Sequence, residues 1–400
     1  MMMGSVRISE LLSALDAKLC HQDVAFSRVN TDTRAIQPGD LFVALKGERF
    51  DAHDFAEKAV TAGAVALVVD HQLPMDIPQL IVTDTRIALG QIAEYNRRAY
   101  SGLLFAITGS SGKTTVKEML AEVLAGNGQV LATQGNLNND IGVPLTLLRL
   151  ASDDEYAVIE MGASGPGEIG YSAGLAHPDI AIITNAMGAH LEGFGSLQGV
   201  VKAKGEIYDG LTAHGCAVVN LDDHNAAQWV QRIGTKRMVT FGMRTPNADV
   251  RASDLQLQDN SCYAFTLLHA DVALRVHLQV MGRHNVINAL AVAALVVAAG
   301  LPLSLAVSGL ERFKAVKGRM CSLPGIAGTR VIDDSYNANP GSVKAAIQAL
   351  HELKGERVLL LGDMGELGAD AEQMHREVGQ FAAEQNIDKL LAVGPLSKAA

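Results

Sequence analysis

Cysteine is scarce in this chain, and positive charge is outnumbered by negative charge. The four cysteines are scattered, with no CxxC or Cys/His spacing that would predict zinc and no framework that would predict disulfides. We therefore expect reduced, buried thiols. The formal net charge of −10 argues against a nucleic-acid partner, which would require a basic surface, although local loops still bind small anions.

A signal peptide and an uninterrupted membrane segment are also missing from the pattern. The N-terminus carries Glu10 and Asp16 and no apolar core of a leader, and we expect a cytoplasmic location. The apolar run at 289–307 approaches the about 20 residues of a membrane helix. Gly300 and Pro302 interrupt it, with Ser304 next as a candidate helix cap, so it predicts two buried helices.

Three domains are predicted, at residues 1–85, 86–315 and 316–400. The first mixes short apolar strands with a helical stretch. The second alternates short apolar strands with helices, which is typical of a parallel sheet covered on both faces, and then turns to antiparallel strands at about 238–281. The third again alternates strands and helices and ends just after a strand, so we expect it to be incomplete.

A glycine-rich loop, "ITGSSGKTT" at 107–115, lies between an apolar strand and a helix. Backbone N–H groups at such a turn, with the positive end of the helix dipole, form an anion site. Lys113 would reach the outer phosphates of a nucleotide and the Thr114 hydroxyl would bind Mg²⁺. The alternative is a glycine-rich turn with an incidental lysine, but the flanking strand and helix are the context that the motif requires. The loop is shorter than the common P-loop.

The shortened loop resembles the TG-x-x-GKT[TS] loop of the Mur ligase family, which also includes folylpolyglutamate synthetase. The resemblance extends over almost the whole chain and implies an α/β fold of three domains. These are a small N-terminal α/β domain for a UDP-sugar, a central P-loop ATPase domain with a parallel sheet, and a Rossmann-like C-terminal domain for the amino substrate. The ATP contacts implied along the loop are Gly109, Ser110, Ser111, Gly112, Lys113, Thr114 and Thr115.

Three further motifs resemble the metal site of that family. "VIEMGAS" places Glu160 at the end of a buried strand, where the family has a Mg²⁺ ligand. "TNAMGAHLEGFGS" contains His190, which resembles the metal-site histidine. "AKGEIY" contains Lys204, which resembles a lysine carbamylated by CO₂ that helps to hold a second Mg²⁺; Lys202 is the alternative. Taken alone, Glu160 would suggest a cap or an ion-pair partner, His190 a structural histidine, and Lys204 a solvent-exposed lysine.

Two more segments resemble the nucleotide contacts of the family. In "HNVIN", Asn285 and Asn288 share a helical face and imply adenine contact, while a cap or a buried amide pair is the alternative. The C-terminal domain is implied to supply Arg319 to the phosphate or acyl phosphate and Asp334 to the ribose, with Asp333 as the neighbouring alternative. The implied catalytic residues are Lys113, His190, Lys204 and Arg319.

Within the family, the substrate segments point to one member. "TDTRAIQPGDLFVALKGERFDAHDF" at 31–55 is similar to the UDP-sugar domain of late Mur ligases. "GNLNNDIGVPLTLL", "SYNANPGS" and "LGDMGELG" resemble the enzyme that adds D-alanyl-D-alanine, and we find no DNPR-type motif of the diaminopimelate-adding enzyme. The implied contacts are Thr33, Arg34, Lys46 and His53 for the UDP-muramyl part, Asn138 and Asn139 for the muramyl peptide, and Asn337 and Asn339 for the dipeptide.

The resemblance thus implies ATP-dependent amide formation in peptidoglycan precursor synthesis. A tripeptide carboxylate would be phosphorylated to an acyl phosphate and then attacked by the amine of D-alanyl-D-alanine, with ATP and two Mg²⁺ ions. We expect a monomer without nucleic-acid or membrane partners. The alternatives are another ligase of the family, adding diaminopimelate, lysine or glutamate, a non-catalytic nucleotide-binding protein, and a P-loop kinase or nucleotide switch. Against a GTPase switch, no NKxD motif is found.

Overall fold

The computed structural model describes residues 4–47, 50–188 and 191–400, and the first part of the chain folds around a small sheet. Its elements are β1 (Val6–Arg7), α1 (Leu12–Leu15), β2 (Lys18–Cys20), β3 (Ala25–Phe26), β4 (Arg28–Asn30), β5 (Asp40–Val43), α2 (Ala56–Thr61), β6 (Ala66–Val69), β7 (Gln79–Ile81) and α3 (Thr85–Ala99). Strands β4, β5, β6 and β7 run parallel, and β2 pairs antiparallel with β7. Strands β1 and β3 form a separate antiparallel pair.

The middle of the chain builds one large sheet. Its elements are β8 (Leu103–Thr108), α4 (Lys113–Leu124), β9 (Val130–Ala132), α5 (Gly142–Leu147), β10 (Tyr156–Glu160), α6 (Glu168–Ala176), β11 (Ile180–Ile183), α7 (Leu191–Phe194), α8 (Leu197–Gly205), β12 (Cys216–Asn220), α9 (Ala226–Ile233), β13 (Arg237–Gly242), β14 (Val250–Leu257), β15 (Cys262–His269), β16 (Val272–Met281), α10 (His284–Ala298) and α11 (Leu303–Arg312). The strand order is β16-β15-β14-β13-β12-β11-β8-β10-β9.

The antiparallel part of this sheet begins later than the sequence predicts. Strand β13 pairs in parallel with β12 and with β14, and only β14–β15 and β15–β16 are antiparallel. The prediction that antiparallel strands begin at about residue 238 is therefore wrong by one strand. At the solvated edge of a sheet, apolar and polar residues alternate in parallel and antiparallel strands alike. The sequence pattern therefore does not distinguish the two pairings.

Helices cover both faces of the large sheet, as the alternation predicts. In β10, Ala157 and Ile159 pack into one apolar cluster with α3, α5, α6 and α8, and Val158 packs into another with α4, α10 and α11. The apolar run at 289–307 forms the end of α10 and the start of α11, as predicted. Pro302, not Ser304, is the cap residue of α11. Within the described residues, no helix is long and apolar enough to cross a membrane.

The last part of the chain forms two small sheets. Its elements are β17 (Cys321–Pro324), β18 (Arg330–Asp333), α12 (Pro340–His351), β19 (Val358–Gly362), α13 (Ala371–Glu384) and β20 (Lys389–Val393). Strands β17 and β18 are antiparallel, whereas β19 and β20 are parallel with α13 between them in the chain. Helices α12 and α13 pack on β19 through Val343, Ile347, Leu361 and Val378, the strand–helix–strand arrangement of a Rossmann-like unit. Short 3₁₀ turns lie at Ile8–Leu11, Ala52–Phe55, Glu206–Tyr208, Ile326–Gly328, Gly368–Asp370 and Ser397–Ala399.

The topology of the large sheet creates a crevice at the carboxyl end of β8. From β8 the chain crosses to the edge strand β9, returns to β10 on one side of β8, and then passes to β11 on its other side. Ligands of open α/β sheets bind outside the carboxyl ends of strands where the order reverses in this way. The last part of the chain lies over this crevice, because an Arg319 nitrogen donates to Thr114 Oγ1 at 3.2 Å.

Candidate functional site

The loop after β8 has a shape that requires glycine at two positions. Gly109 has φ +153°, and a Cβ placed there would lie 1.8 Å from Thr184 Oγ1. Gly112 has φ +79°, and its Cβ would lie 2.8 Å from Asn288 Oδ1. Both positions combine a backbone conformation that side chains disfavour with a close approach of a neighbour.

The short loop is braced by the residues that follow β11. Asn185 Oδ1 accepts hydrogen bonds from Ser111 N at 3.0 Å and from Ser111 Oγ at 3.2 Å. Thr184 Oγ1 donates to Ser111 O at 2.6 Å, and Ser110 N donates to Asn185 O at 3.0 Å. Thr184 and Asn185 were not predicted as site residues. The feature of the sequence that could have identified them is their position at the start of "TNAMG", directly after a buried strand.

Helix α4 begins at Lys113, so its N-terminus faces the crevice. The Lys113 Nζ donates to Gly109 O at 2.8 Å, which folds the side chain back along the loop. Burial lowers the pKa of Lys113, with a further lowering from Arg319 and an opposing contribution from the Glu160 carboxylate. Thr114 and Thr115 follow on the first turn of α4. The loop therefore presents backbone donors, a helix N-terminus and an ammonium group on one side of the crevice.

Glu160 is a buried carboxylate at the end of β10 with one unsatisfied oxygen. Its Oε1 accepts from Thr114 Oγ1 at 3.2 Å and from Asn138 Nδ2 at 2.9 Å. Its Oε2 is buried without a hydrogen-bond partner among the described residues. A buried, orphaned carboxylate oxygen is costly unless a cation neutralises it. With the Thr114 hydroxyl beside it, this all-oxygen donor set fits Mg²⁺.

Lys204 is buried in α8, which excludes the solvent-exposed alternative for this residue. Its Nζ lies 5.9 Å from the centroid of the Phe194 ring, and no described residue offers it a hydrogen-bond acceptor. Burial lowers its pKa well below the ordinary value, and the ammonium of Lys113 lowers it further. Lys202 in the same helix is exposed, so the surroundings favour Lys204 over Lys202 for a neutral amine. His190 lies outside the described residues.

The C-terminal part of the chain supplies Arg319, which contacts the loop and lines the cavity, and Asp334, which does not line the cavity. The Arg319 guanidinium donates to Thr114 Oγ1 and stacks on Tyr336, whose ring centroid lies 4.0 Å from Arg319 Cζ. Asp334 Oδ1 accepts from Met320 N at 3.1 Å, and burial raises the pKa of Asp334 to about 6. Asp333 instead accepts from Ser335 N and Oγ. Tyr336 was not predicted as a site residue. The feature of the sequence that could have identified it is the aromatic residue in "SYNANP".

Asn285 and Asn288 form a buried amide pair behind the loop. Asn288 Nδ2 donates to Asn285 Oδ1 at 2.9 Å, and Asn285 Nδ2 donates to Met281 O at 2.8 Å. The buried-pair alternative is therefore present in this structure. Asn288 is the member that touches the loop, at Gly112. Adenine contact stays a prediction for both.

One cavity of about 430 Å³ joins the central and C-terminal parts. Asn339 caps α12 by accepting from Ser342 N at 2.9 Å, and its Nδ2 lies 3.5 Å from Ser110 O. Asn139 accepts from Gly142 N at 2.8 Å at the start of α5. Ser164, Glu168 and Glu366 also line the cavity and were not predicted. The predicted residues that line it are Ser110, Ser111, Gly112, Lys113, Thr114, Asn138, Asn139, Glu160, Arg319, Asn337 and Asn339.

The four candidates in the first part of the chain do not line this cavity. Arg34 is exposed and forms a two-nitrogen ion pair with Asp32. Lys46 lies 3.7 Å from Asp51. His53 is buried, with Nδ1 2.5 Å from Asp51 Oδ1 and Nε2 accepting from Asp70 N at 3.1 Å, so both of its ring nitrogens are engaged. Thr33 lies in the turn before β5.

Comparison with protein families gives three consecutive matches along the chain. Residues 25–97 match the Mur ligase family, catalytic domain. Residues 107–296 match the Mur ligase middle domain, and residues 318–400 match the Mur ligase, glutamate ligase domain.

Relatives with a curated name match over nearly the full chain. The chain is 48% identical over 397 residues to a UDP-N-acetylmuramoyl-tripeptide–D-alanyl-D-alanine ligase of Escherichia coli, covering 99% of this chain and 88% of that protein. It is 36% identical over 395 residues to the protein of the same name from Bacillus subtilis, covering 97% and 84%.

Solved structures show the same architecture. MurF from Acinetobacter baumannii superposes with a TM-score of 0.95 at 38% identity, covering all of this chain and 88% of that one. The MurF ligase from Thermotoga maritima in complex with ADP superposes with a TM-score of 0.85 at 29% identity, covering 93% and 86%.

Proposed function

The chain belongs to the Mur ligase family, and on that premise we propose that it is an ATP-dependent ligase adding D-alanyl-D-alanine to UDP-N-acetylmuramoyl-tripeptide. The observation that carries the chemistry is the single cavity in which Lys113, Glu160 and Arg319 meet. The match to a ligase of that name over 99% of the chain supports the substrates. The location of the reaction is proposed as cytoplasmic and the enzyme as a monomer, and its products are peptidoglycan precursors.

The proposed reaction converts a carboxylate into an amide by way of an acyl phosphate. A carboxylate oxygen of the tripeptide attacks the γ-phosphorus of ATP, and ADP leaves. The amine of D-alanyl-D-alanine then attacks the acyl carbon, loses a proton, and inorganic phosphate departs from the tetrahedral intermediate. Lys113, the N-terminus of α4 and Arg319 stabilise the negative charge on the transferred phosphoryl group, so positioning and charge neutralisation provide most of the catalysis.

Thr114 and Glu160 are the residues that would hold Mg²⁺. The support is the orphaned Glu160 Oε2 and the adjacent hydroxyl. When bound, such an ion neutralises phosphate charge and orients the phosphoryl group for in-line transfer. We include a second Mg²⁺ in the proposal, with His190 and a carbamylated Lys204 as its ligands. The burial that lowers the pKa of Lys204 favours the neutral amine with which CO₂ reacts.

The remaining contacts are assigned by position around the cavity or, for Asp334 and Asn288, which do not line it, by the resemblance to the family. Asn138 orients Glu160, while Asn337 and Asn339 lie on the C-terminal side, where the dipeptide would enter. Asp334 takes the ribose and Asn288 the adenine. Residues 1–85 are proposed to bind the UDP-sugar, 86–315 the ATP and 316–400 the amino substrate. Closure of the C-terminal part excludes water, which otherwise hydrolyses an acyl phosphate.

Phosphate release from ATP tests this function. Purified protein with Mg²⁺ and ATP is mixed with UDP-N-acetylmuramoyl-tripeptide and D-alanyl-D-alanine, with each component omitted in turn, and the product mass is measured. We expect phosphate release and a pentapeptide product only in the complete mixture. Diaminopimelate, lysine and glutamate with their matching acceptors serve as controls for the other family members. Stimulation by one of those pairs, and none by the proposed pair, would overturn the assignment.

A further inference from the structure

Tyr336 is a half-exposed aromatic residue in the wall of the cavity. The residue is 55% exposed, yet a charged group lies over its ring, with Arg319 Cζ 4.0 Å from the ring centroid. An exposed aromatic ring at this distance attracts a cation through its quadrupole. Nothing in the core of the C-terminal part depends on this ring, because it lies outside the apolar cluster of that part.

The backbone holds Tyr336 and Arg319 in register. Tyr336 N donates to Gly318 O at 3.2 Å, and Met320 N donates to Asp334 Oδ1 at 3.1 Å, so hydrogen bonds flank Arg319 on both sides. Gly318 has φ +73°, and a Cβ there would lie 3.1 Å from Tyr336 Cβ. The two segments are thus fixed against each other at the point where ring and guanidinium meet.

Stacking leaves the donors of Arg319 free to point across the cavity. A guanidinium that is covered on one face keeps all its N–H groups in its own plane, where they meet carboxylate, hydroxyl or phosphate oxygens. One of them donates to Thr114 Oγ1 at 3.2 Å, and Thr114 Oγ1 in turn donates to Glu160 Oε1 at 3.2 Å. The ring therefore limits the rotamers of a long side chain that reaches from the C-terminal part to the nucleotide loop.

We propose that Tyr336 is a positioning residue, whose ring orients the Arg319 guanidinium toward Thr114 and the phosphates of the nucleotide. The inference rests on the proposed ligase function for its place in catalysis. It assigns the role to the ring face, not to the hydroxyl. A preoriented arginine loses less side-chain entropy when the nucleotide binds, which strengthens its contact.

Two substitutions separate the ring from the hydroxyl. Tyr336→Phe keeps the ring and should retain wild-type kcat/KM for ATP. Tyr336→Leu removes it and should lower kcat/KM by about two- to fivefold, the range for an exposed cation–π contact. Phe381→Leu is a control for ring removal outside the cavity, because its ring lies 5.8 Å from Lys344 Nζ and packs against the apolar cluster of the same part. It should leave the KM for ATP unchanged.

A double-mutant cycle tests whether Tyr336 acts through Arg319. Affinity for a non-hydrolysable ATP analogue is measured by calorimetry for the wild type, Tyr336→Leu, Arg319→Gln and the double variant. We expect Tyr336→Leu to weaken binding in the wild type and to have no further effect in Arg319→Gln. Equal effects in both backgrounds, or a Phe variant as impaired as the Leu variant, would overturn the inference. Absence of ligase activity in the wild type would instead refute the proposed function, while this cycle would still decide the role of Tyr336.

Discussion

At the scale of single residues, burial separates the candidates that a motif alone leaves equivalent. Lys202 and Lys204 lie on one short helix, but only Lys204 is buried. Asp333 and Asp334 are adjacent, but Asp333 is held by hydrogen bonds from Ser335, whereas burial raises the pKa of Asp334 to about 6. Lys204 and Asp334 are the desolvated members of these pairs, and burial shifts the pKa of each toward the neutral form, as is common at functional sites.

Lys204→Ala should abolish most ligase activity, because it removes the buried amine that is proposed to form the carbamate. Short carboxylates such as acetate or formate should restore part of the activity by occupying the space left by the side chain. The measurement is phosphate release with and without the added carboxylate. Lys202→Ala, an exposed lysine two residues away, is the control and should behave as the wild type. Full activity of Lys204→Ala would contradict the assignment.

Asp334→Asn should stabilise the fold while weakening nucleotide binding. Because burial raises the pKa of Asp334 above its ordinary value, the folded protein binds this proton more tightly than the unfolded chain. Ionisation of this carboxyl therefore lowers the free energy of unfolding as pH rises from about 4 through about 6. An amide does not ionise, so the variant avoids that loss. The thermal midpoint of the variant should exceed that of the wild type at pH 8 and approach it at pH 4.5.

The same variant should lose affinity for ATP at pH 8, where the wild-type carboxylate is ionised and accepts from the ribose. Wild-type affinity should also fall as pH drops through about 6, and the variant should lack that fall. A variant with wild-type affinity at both pH values would show that Asp334 does not contact the nucleotide.

At the scale of elements, the nucleotide loop shows how a short motif obtains a fixed shape. Its backbone is bonded to Thr184 and Asn185 at the end of β11, and Gly109 packs against Thr184 Oγ1 with no room for a side chain. The residues of the loop were predictable from "TGSSGKTT" because their chemistry is local. The braces were not, because strands β8 and β11 become neighbours only when the sheet assembles.

Gly109→Ala should disrupt the loop without unfolding the sheet. The new Cβ would lie 1.8 Å from Thr184 Oγ1, so the loop must move, and displacement of about 1 Å at a site of this kind can cost about 100-fold in rate. Activity and nucleotide affinity are the measurements. Gly174→Ala on α6 is the control, since its Cβ meets no atom within 4 Å and should leave activity unchanged. Equal behaviour of the two variants would contradict the steric argument.

At the scale of the whole molecule, two of the contacts between the C-terminal part and the central part bear on closure of the cavity. One is the cavity, through Arg319. The other is a small apolar cluster of Cys262, Met281, Met320 and Ala349, beside a hydrogen bond from the Tyr263 hydroxyl to Glu352. The second contact lies outside the cavity wall. We expect this contact to help hold the C-terminal part over the nucleotide loop.

Ala349→Asp should impair closure, because it places a carboxylate in the apolar cluster between the two parts. Burying an unpaired charge is strongly unfavourable, so the contact should open and ligase activity should fall by at least tenfold. Gln348→Asp, an exposed neighbour on α12, controls for the added charge and should retain activity. Limited proteolysis should show faster release of the C-terminal part for Ala349→Asp only. Equal proteolysis of the two variants would exclude this cluster as a closure contact.

The sequence by itself determined the parallel sheet, the two helices at 289–307 and the residues of the nucleotide loop. Each follows from short-range periodicity or from chemistry that a few neighbouring residues carry. The tertiary structure alone decided that Arg319 meets Thr114 and stacks on Tyr336, that Glu160 keeps an orphaned oxygen, and that Lys204 is desolvated. These properties depend on burial or on contacts between residues of different segments, such as Arg319 and Thr114, and neither is encoded in a local pattern.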